Sequence, residues 1–111
     1  MKLTTDMQSG VFIVRIEGEL DLSSVNEFRQ IADKVLDNQR SKYLLMNLEE
    51  LTFIDSSGLG AILGRYKKVN LLGGRIFVTN VKPQITRIFQ LSGLHKILAV
   101  YPTEAEALEQ V

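Results

Sequence analysis

Eight residues in the middle of the chain hold the side chains best placed to do chemistry. An apolar run ends there in a carboxylate, two hydroxyls and a glycine, in the order Phe53-Ile54-Asp55-Ser56-Ser57-Gly58-Leu59-Gly60. A helical pattern follows at once, and Asp and Ser are favoured at helix starts, where their oxygens accept backbone N–H bonds. The order predicts Ser56 at the exposed first turn of a helix. Either Asp55 or Ser56 simply caps that helix, or Ser56 is a group that another protein modifies.

Catalysis by that serine is poorly supported by the rest of the chain. A nucleophilic serine needs a base; His95 is the only histidine, and the G-x-S-x-G elbow is absent. The glycines at 58, 60 and 64 have the wrong spacing for a dinucleotide loop, and no His/Asp/Glu set has metal-ligand spacing. We predict no catalytic residue, no metal and no cofactor. A small hydrolase using Ser56 and His95 stays the least favoured alternative.

Phosphorylation of Ser56 would change this surface most. A phosphoryl group adds about −2 charge near neutral pH, and the free N–H groups and dipole of a helix start tolerate an anion. Asp55 beside it would repel that anion. The modified state could therefore form without unfolding the domain, while a flat docking surface becomes a charged one.

The helix after Ser56 contains more glycine than packing requires. Each of Gly58, Gly60 and Gly64 costs about 0.5–1 kcal/mol relative to alanine inside a helix. Gly60 and Gly64 are four residues apart and share one stripe, which suits close approach of another backbone. That backbone could belong to the domain itself or to a partner.

Charged residues near the motif fall into an acidic and a basic group. The acidic residues near predicted strand ends are interpreted as a solvated rim, or alternatively as contacts for basic groups of a partner: Glu17, Glu19, Asp21, Glu49, Glu50 and Asp55. Arg65, Lys67 and Lys68 are interpreted as the solvent-facing side of the helix that follows Ser56.

The elements that position the motif alternate between strand and helix. The patterns predict strands at 2–7, 11–16, 43–48, 75–79 and 97–100, and helices at 24–37, 57–71, 83–91 and from 103 to the C-terminus. Ser24 and Thr103, each followed three residues later by Glu, predict capping boxes. The result is one α/β domain over residues 1–111, with a mixed, mostly parallel sheet of four to five strands and about four helices. Loop 49–55 delivers Ser56 beyond the carboxyl ends of the strands, where such sheets usually carry function.

Composition narrows the class of protein. Thirteen basic residues balance thirteen acidic ones, which gives no electrostatic reason to expect nucleic acid or an anionic membrane as partner. The absence of cysteine excludes disulfides and thiol catalysis. The first residues lack the apolar core of a signal peptide, and no apolar stretch approaches the ~20 residues that span a bilayer. We expect a cytoplasmic location.

Three segments carry the clearest resemblance to the anti-sigma factor antagonists of the STAS family, and the similarity covers essentially the whole chain. Residues 51–67 carry the strongest similarity, and it is closest to the sporulation type that frees sigma-F. Gly18-Glu19-Leu20-Asp21 is similar to a Gly-Glu-Leu-Asp segment of that family, and residues 89–94 resemble its late helix and turn. After Asp21 this chain has Leu22-Ser23-Ser24, where close sporulation relatives often carry histidines. Sporulation and general stress pathways therefore both stay open.

The resemblance implies a regulator of transcription without catalytic activity. The unphosphorylated form would bind an anti-sigma factor that is also a serine kinase and release the sigma factor. The kinase, with its own ATP and magnesium, would phosphorylate Ser56 and end the complex, and a PP2C-type phosphatase would restore it. The implied docking surface comprises Asp21, Asp55, Ser57, Gly58, Leu59 and Gly60. The free protein would be a monomer. A scaffold or transporter-associated domain that never meets a kinase is the alternative within the family.

Overall fold

A six-stranded mixed sheet and four helices make up the computed structural model, which describes residues 1–111. The strands are β1 (Lys2–Gln8), β2 (Val11–Leu20), β3 (Tyr43–Asn47), β4 (Leu51–Ile54), β5 (Arg75–Thr79) and β6 (Ala99–Tyr101). The helices are α1 (Val25–Asp37), α2 (Ser56–Leu71), α3 (Pro83–Ser92) and α4 (Glu104–Leu108), with one 3₁₀ turn at Leu94–Lys96. None of the helices has the length and apolar character that crossing a membrane requires.

The sheet has the order β1-β2-β3-β5-β6 and confirms the predicted α/β class. The first two strands form the predicted antiparallel hairpin, in which Gln8 pairs with Val11 across a turn. Ser9 and Gly10 in that turn have φ of 53° and 77°, as a tight hairpin turn demands. From β2 onward all neighbours are parallel, and helices connect them.

The segment before Ser56 is a strand, so the prediction of a loop over 49–55 is wrong. β4 runs parallel to the last three residues of β2, while β3 pairs with the first five. The register of β2 against β4 shifts between Gly18 and Glu19, where Gly18 adopts a φ of 97°. The four residues of β4 include two exposed ones in the middle, so buried and exposed side chains do not alternate. The sequence pattern therefore did not predict this strand. Ser56 therefore lies two residues after the end of β4.

Helices cover the two faces of the sheet unequally. The main core of 22 buried residues lies on the side of α1, α2 and α3, and five buried residues lie on the other side with α4. Successive side chains of β2 alternate between the two: Phe12 and Val14 join the main core, whereas Val11 and Ile13 join the small one. Burial on both faces explains the nearly continuous apolar run of this strand.

Some predicted boundaries and caps differ from the structure. The last strand begins at Ala99 rather than at residue 97, because residues 94–96 form the 3₁₀ turn, and the last helix ends at Leu108. The Ser24 capping box is wrong: its hydroxyl donates to the Glu19 carbonyl at 2.7 Å and makes no cap bond. The Thr103 cap is confirmed by a 3.2 Å bond from the Glu106 N–H.

Arg65 lies against α1, so its assignment to the solvent face is wrong. Its residue exposure is 7%, and Nε lies 3.1 Å from Asp33 Oδ1. Lys68, which is half-buried, reaches the same oxygen at 3.1 Å and Asp37 Oδ1 at 2.9 Å, whereas Lys67 is exposed as predicted. Burial lowers the pKa of the Arg65 guanidinium. The prediction failed because α1 packs beside α2 and covers this face, which the helical pattern alone assigned to the solvent-exposed side.

Candidate functional site

Asp55 fixes the start of α2. It is the N-cap residue, and its Oδ1 accepts a hydrogen bond from the Gly58 N–H at 3.1 Å. Its Oδ2 accepts one from the Leu22 N–H, also at 3.1 Å, in the loop between β2 and α1. One carboxylate thus joins two elements that are distant in sequence. Of the two capping candidates, Asp55 is the cap, and the exposed Ser56 beside it is not needed for that purpose.

Gly58 is buried and allows α2 to begin close to the sheet. A Cβ at this position would lie 2.5 Å from the Leu20 carbonyl oxygen and 2.7 Å from Ile54 Cγ1, closer than such atoms pack. Gly58 is also among the predicted partner contacts, and the structure gives it a packing role within the domain. A Cβ on Gly60 or Gly64 would meet no atom within 4 Å. The glycine stripe therefore faces solvent and not another element of the domain.

The remaining residues expected on α2 divide between surface and core. Ser56 and Gly60 are exposed and lie one helical turn apart. Ser57 is half-buried, and Leu59 is partly buried against the main core. Near its start, α2 therefore exposes the Ser56 hydroxyl and, one turn later, Gly60, which has no side chain.

Asp21 lies at the start of the loop that Asp55 holds. Its Oδ1 accepts hydrogen bonds from the Ser23 hydroxyl at 2.7 Å and from the Ser23 N–H at 3.0 Å. The hydroxyl of Ser24 lies 3.2 Å from the same oxygen. The Ser23 hydroxyl bond is the main reason that the pKa of the Asp21 carboxyl is lowered, so this half-buried group is a carboxylate near neutral pH.

The structure brings Asp21 and Asp55 to one cleft, which the family resemblance implied. The cleft has a volume of about 390 Å³, and Leu22, Ser23 and Phe53 complete its lining. Leu22 is 75% exposed and Phe53 46% exposed. The sequence reasoning missed both as functional candidates. The available signal was a leucine in a predicted loop directly after Asp21, since apolar side chains exposed together often mark interaction sites.

The predicted acidic cluster is split in two. Asp21 and Asp55 line the cleft before Ser56, whereas Glu17, Glu49 and Glu50 line a separate cleft with Arg15. The Arg15 guanidinium makes two 2.8 Å bonds to Glu104 of α4. The second group therefore surrounds a structural ion pair on the α4 side of the sheet.

The geometry gives no support to hydrolysis. His95 is exposed in the 3₁₀ turn, and its Nδ1 lies 3.3 Å from the Phe89 carbonyl oxygen rather than on Ser56. No three His, Asp or Glu side chains are grouped so that they could hold a metal ion.

Comparison with protein families and sequences gives consistent results. The family model of the STAS domain matches residues 2–107. An anti-sigma F factor antagonist of Paenibacillus polymyxa is 40% identical over 113 residues, which cover 100% of this chain and 97% of the relative. An anti-sigma-B factor antagonist of Staphylococcus aureus is 30% identical, with 90% of this chain and 92% of the relative covered.

Solved structures show the same architecture. The anti-sigma factor antagonist SpoIIAA in its unphosphorylated form superposes with a TM-score of 0.82 at 27% identity, over 98% of this chain and 96% of that one. The phosphorylated form of SpoIIAA from Bacillus gives 0.79 at 30% identity, with 98% of both chains covered. The resemblance predicted from three sequence segments is confirmed. With a family match over nearly the whole length and a relative at 40% identity, this chain belongs to the STAS domain family.

Proposed function

We propose that this chain is an anti-sigma factor antagonist that phosphorylation of Ser56 switches off. The unphosphorylated chain binds an anti-sigma factor with serine kinase activity and thereby frees a sigma factor. Phosphate on Ser56 ends that complex, and a PP2C-type phosphatase reverses the modification. The observation that carries the proposal is an exposed serine on the first turn of α2, beside Asp55, which already caps the helix, in a chain 40% identical to an anti-sigma F factor antagonist.

The surroundings of Ser56 would make a phosphate decisive for binding. Asp55 cannot turn away from the new charge without giving up its bonds to the Gly58 and Leu22 N–H groups. Asp21 adds a second carboxylate to the same cleft. About two further negative charges, desolvated under a partner without a new cation, cost several kcal/mol. Each 1.4 kcal/mol is about tenfold in affinity, so one phosphate is enough to dissociate the complex.

The open stripe on α2 supports close contact with the partner in the unphosphorylated state. Gly60 and Gly64 offer no side chain, and nothing in the domain covers them. A partner backbone can therefore come near to Ser56, which a kinase needs in order to place ATP against its hydroxyl. In this proposal the chain supplies only the acceptor, the kinase supplies ATP, magnesium and catalysis, and the exchange takes place in the cytoplasm between a monomeric antagonist and its kinase.

Phosphorylation mapping tests the proposal. We would incubate the chain with ATP and the anti-sigma factor kinase encoded in the same genome, then locate phosphate by intact-mass and peptide analysis. We expect one phosphate on Ser56, retained in Ser57→Ala and lost in Ser56→Ala. In a binding assay Ser56→Ala should bind the kinase and Ser56→Asp should not. No phosphate on Ser56, with both variants binding like the wild type, would instead indicate a constitutive interaction module, the scaffold alternative.

A further inference from the structure

We infer that Leu22 and Phe53 form an apolar socket for a side chain of the anti-sigma factor, and that this contact contributes to the affinity of the complex. The inference rests on the proposed function, which supplies the partner. It adds two residues to the docking surface, and neither was among the contacts that the family resemblance implied.

The socket is a shallow, open depression on the surface. Leu22 in the loop after β2 and Phe53 on β4 line one cleft of about 390 Å³. They are 75% and 46% exposed, so most of the leucine and half of the phenylalanine face water. An open apolar surface of this kind can lie against an apolar side chain of another protein.

Both sides of the socket are held in place before any partner arrives. The Leu22 N–H donates to Asp55 Oδ2 at 3.1 Å, which ties the loop to the start of α2. Phe53 lies in β4, where its backbone pairs with Glu19 of β2. A preorganised backbone loses little conformational entropy on binding, so most of the free energy of the apolar contact contributes to the affinity.

Charge around the socket indicates the chemistry of the occupant. Asp21 and Asp55 line the same cleft, and no ion pair within the chain neutralises either carboxylate. The exposed Glu19 lies beside them in sequence. The complementary surface is therefore an apolar side chain next to a lysine or arginine that pairs with Asp21 and Asp55. That cation is already engaged by the two carboxylates, so it does not offset a further phosphate on Ser56.

The socket residues are separate from the phosphate acceptor. Leu22 lies in the loop after β2, and Phe53 lies on β4, three residues before Ser56. A substitution at either position therefore leaves the Ser56 hydroxyl in place. The socket can contribute to affinity without altering the phosphorylation chemistry.

Affinity measurements on matched variants test the socket. The unphosphorylated wild type, Leu22→Ser, Phe53→Ser and the double variant are titrated with the anti-sigma factor kinase of the same genome. Leu71→Ser is the control, because Leu71 is 89% exposed at the far end of α2, about 22 Å from Ser56 along the helix. Leu22→Met keeps an apolar side chain of similar size. Ser56→Asp is measured in the same series.

We expect Leu22→Ser and Phe53→Ser each to weaken binding about tenfold, equivalent to about 1.4 kcal/mol. The double variant should lose less than the product of the two, since both residues contact the same partner side chain. Leu71→Ser and Leu22→Met should bind like the wild type. Leu22 is largely exposed, so the Leu22→Ser result stands even where Phe53→Ser lowers stability.

The outcomes separate the socket from the proposed function. Wild-type affinity for Leu22→Ser and Phe53→Ser, with binding lost in Ser56→Asp, overturns the socket and leaves the phosphorylation switch intact. Weakened binding in the socket variants, with Ser56→Asp unaffected, supports the socket and contradicts the switch. Equal losses in Leu71→Ser and Leu22→Ser would also overturn the socket, because the effect would then belong to any exposed leucine.

Discussion

Three glycines in one helix give a stability experiment in which the sign of the effect depends on position. Alanine is favoured over glycine in a helix interior by about 0.5–1 kcal/mol. Propensity alone would therefore make Gly58→Ala, Gly60→Ala and Gly64→Ala all more stable than the wild type. The three positions differ in the space around them. Gly60 and Gly64 have open space where a Cβ would lie, whereas a Cβ on Gly58 would lie against Leu20 and Ile54.

The magnitude at Gly58 follows from what the new methyl group would meet. A Cβ there would lie 2.5 Å from the Leu20 carbonyl oxygen, and backbone cannot swing aside as the end of a long side chain can. Overpacking of this kind typically costs about 1–3 kcal/mol, which outweighs the gain in helix propensity. We expect Gly58→Ala to lower the free energy of unfolding by about 1–2 kcal/mol, and Gly60→Ala and Gly64→Ala to raise it by about 0.5–1 kcal/mol.

Urea unfolding followed by circular dichroism measures these differences. A change in midpoint at constant m reports stability itself. A shift of 1 kcal/mol moves the melting temperature of a domain of this size by about 4 °C, so a thermal scan provides a second readout. Stabilisation by all three substitutions would refute the close packing of Gly58 on β2 and β4. Destabilisation at Gly60 would refute the assignment of the stripe to open solvent.

The same series separates stability from binding. If the partner approaches the stripe closely, the methyl group of Gly60→Ala lies within the contact next to Ser56. We expect this variant to be more stable than the wild type and yet to bind the kinase less tightly. An equal gain in stability with unchanged affinity would remove Gly60 from the docking surface.

Three further predictions concern the contacts that hold the site and the two sides of the sheet. Asp55→Ala should lower stability by about 2 kcal/mol in urea unfolding, because it removes the helix cap and the bond to the Leu22 N–H; Asp55→Asn, which keeps an acceptor oxygen, should lose less. Arg65→Ala should cost about 1–2 kcal/mol, because it removes a buried side chain from the α1–α2 contact while Lys68 still pairs with Asp33, and a loss below about 0.5 kcal/mol would contradict that packing role. The hydrogen bond from Arg15 is the main cause of the lowered pKa of Glu104, so the stabilisation it brings is complete above the unfolded value of 4.5 and is lost as pH falls through the folded pKa. Urea midpoints between about pH 6 and 3 should therefore fall less steeply in Glu104→Gln than in the wild type, and parallel curves would show that this carboxyl is not responsible.

The architecture was predictable wherever one side-chain pattern dominated. The hairpin, the parallel strands and the helices all follow from apolar runs and turn residues. β4 could not be predicted from a side-chain pattern, because Thr52 and Phe53 are both exposed. Its pairing also depends on β2 being long enough to pair with a second strand. Arg65 could not be placed either: a helical pattern shows which residues share a face, but not that Asp33 on another helix will cover it.

The site was predictable in its chemistry more than in its shape. The order Asp55-Ser56 was sufficient to predict an exposed serine at a helix start. The contact of Asp55 with the Leu22 N–H depends on tertiary structure, and so does the cleft that Leu22 shares with Phe53. The direction of the glycine stripe was open from sequence, and the free space above Gly60 decides it.

In the proposed function, one phosphate on Ser56 controls binding to the anti-sigma factor kinase. The most direct test compares the affinity of the same preparation before and after phosphorylation. We would purify the unmodified and the Ser56-phosphorylated chain and titrate each into the anti-sigma factor kinase by calorimetry. The account predicts tight binding of the unmodified chain and an affinity at least about a hundredfold lower for the phosphorylated one, equivalent to about 2.8 kcal/mol. Equal affinities for the two forms would contradict it.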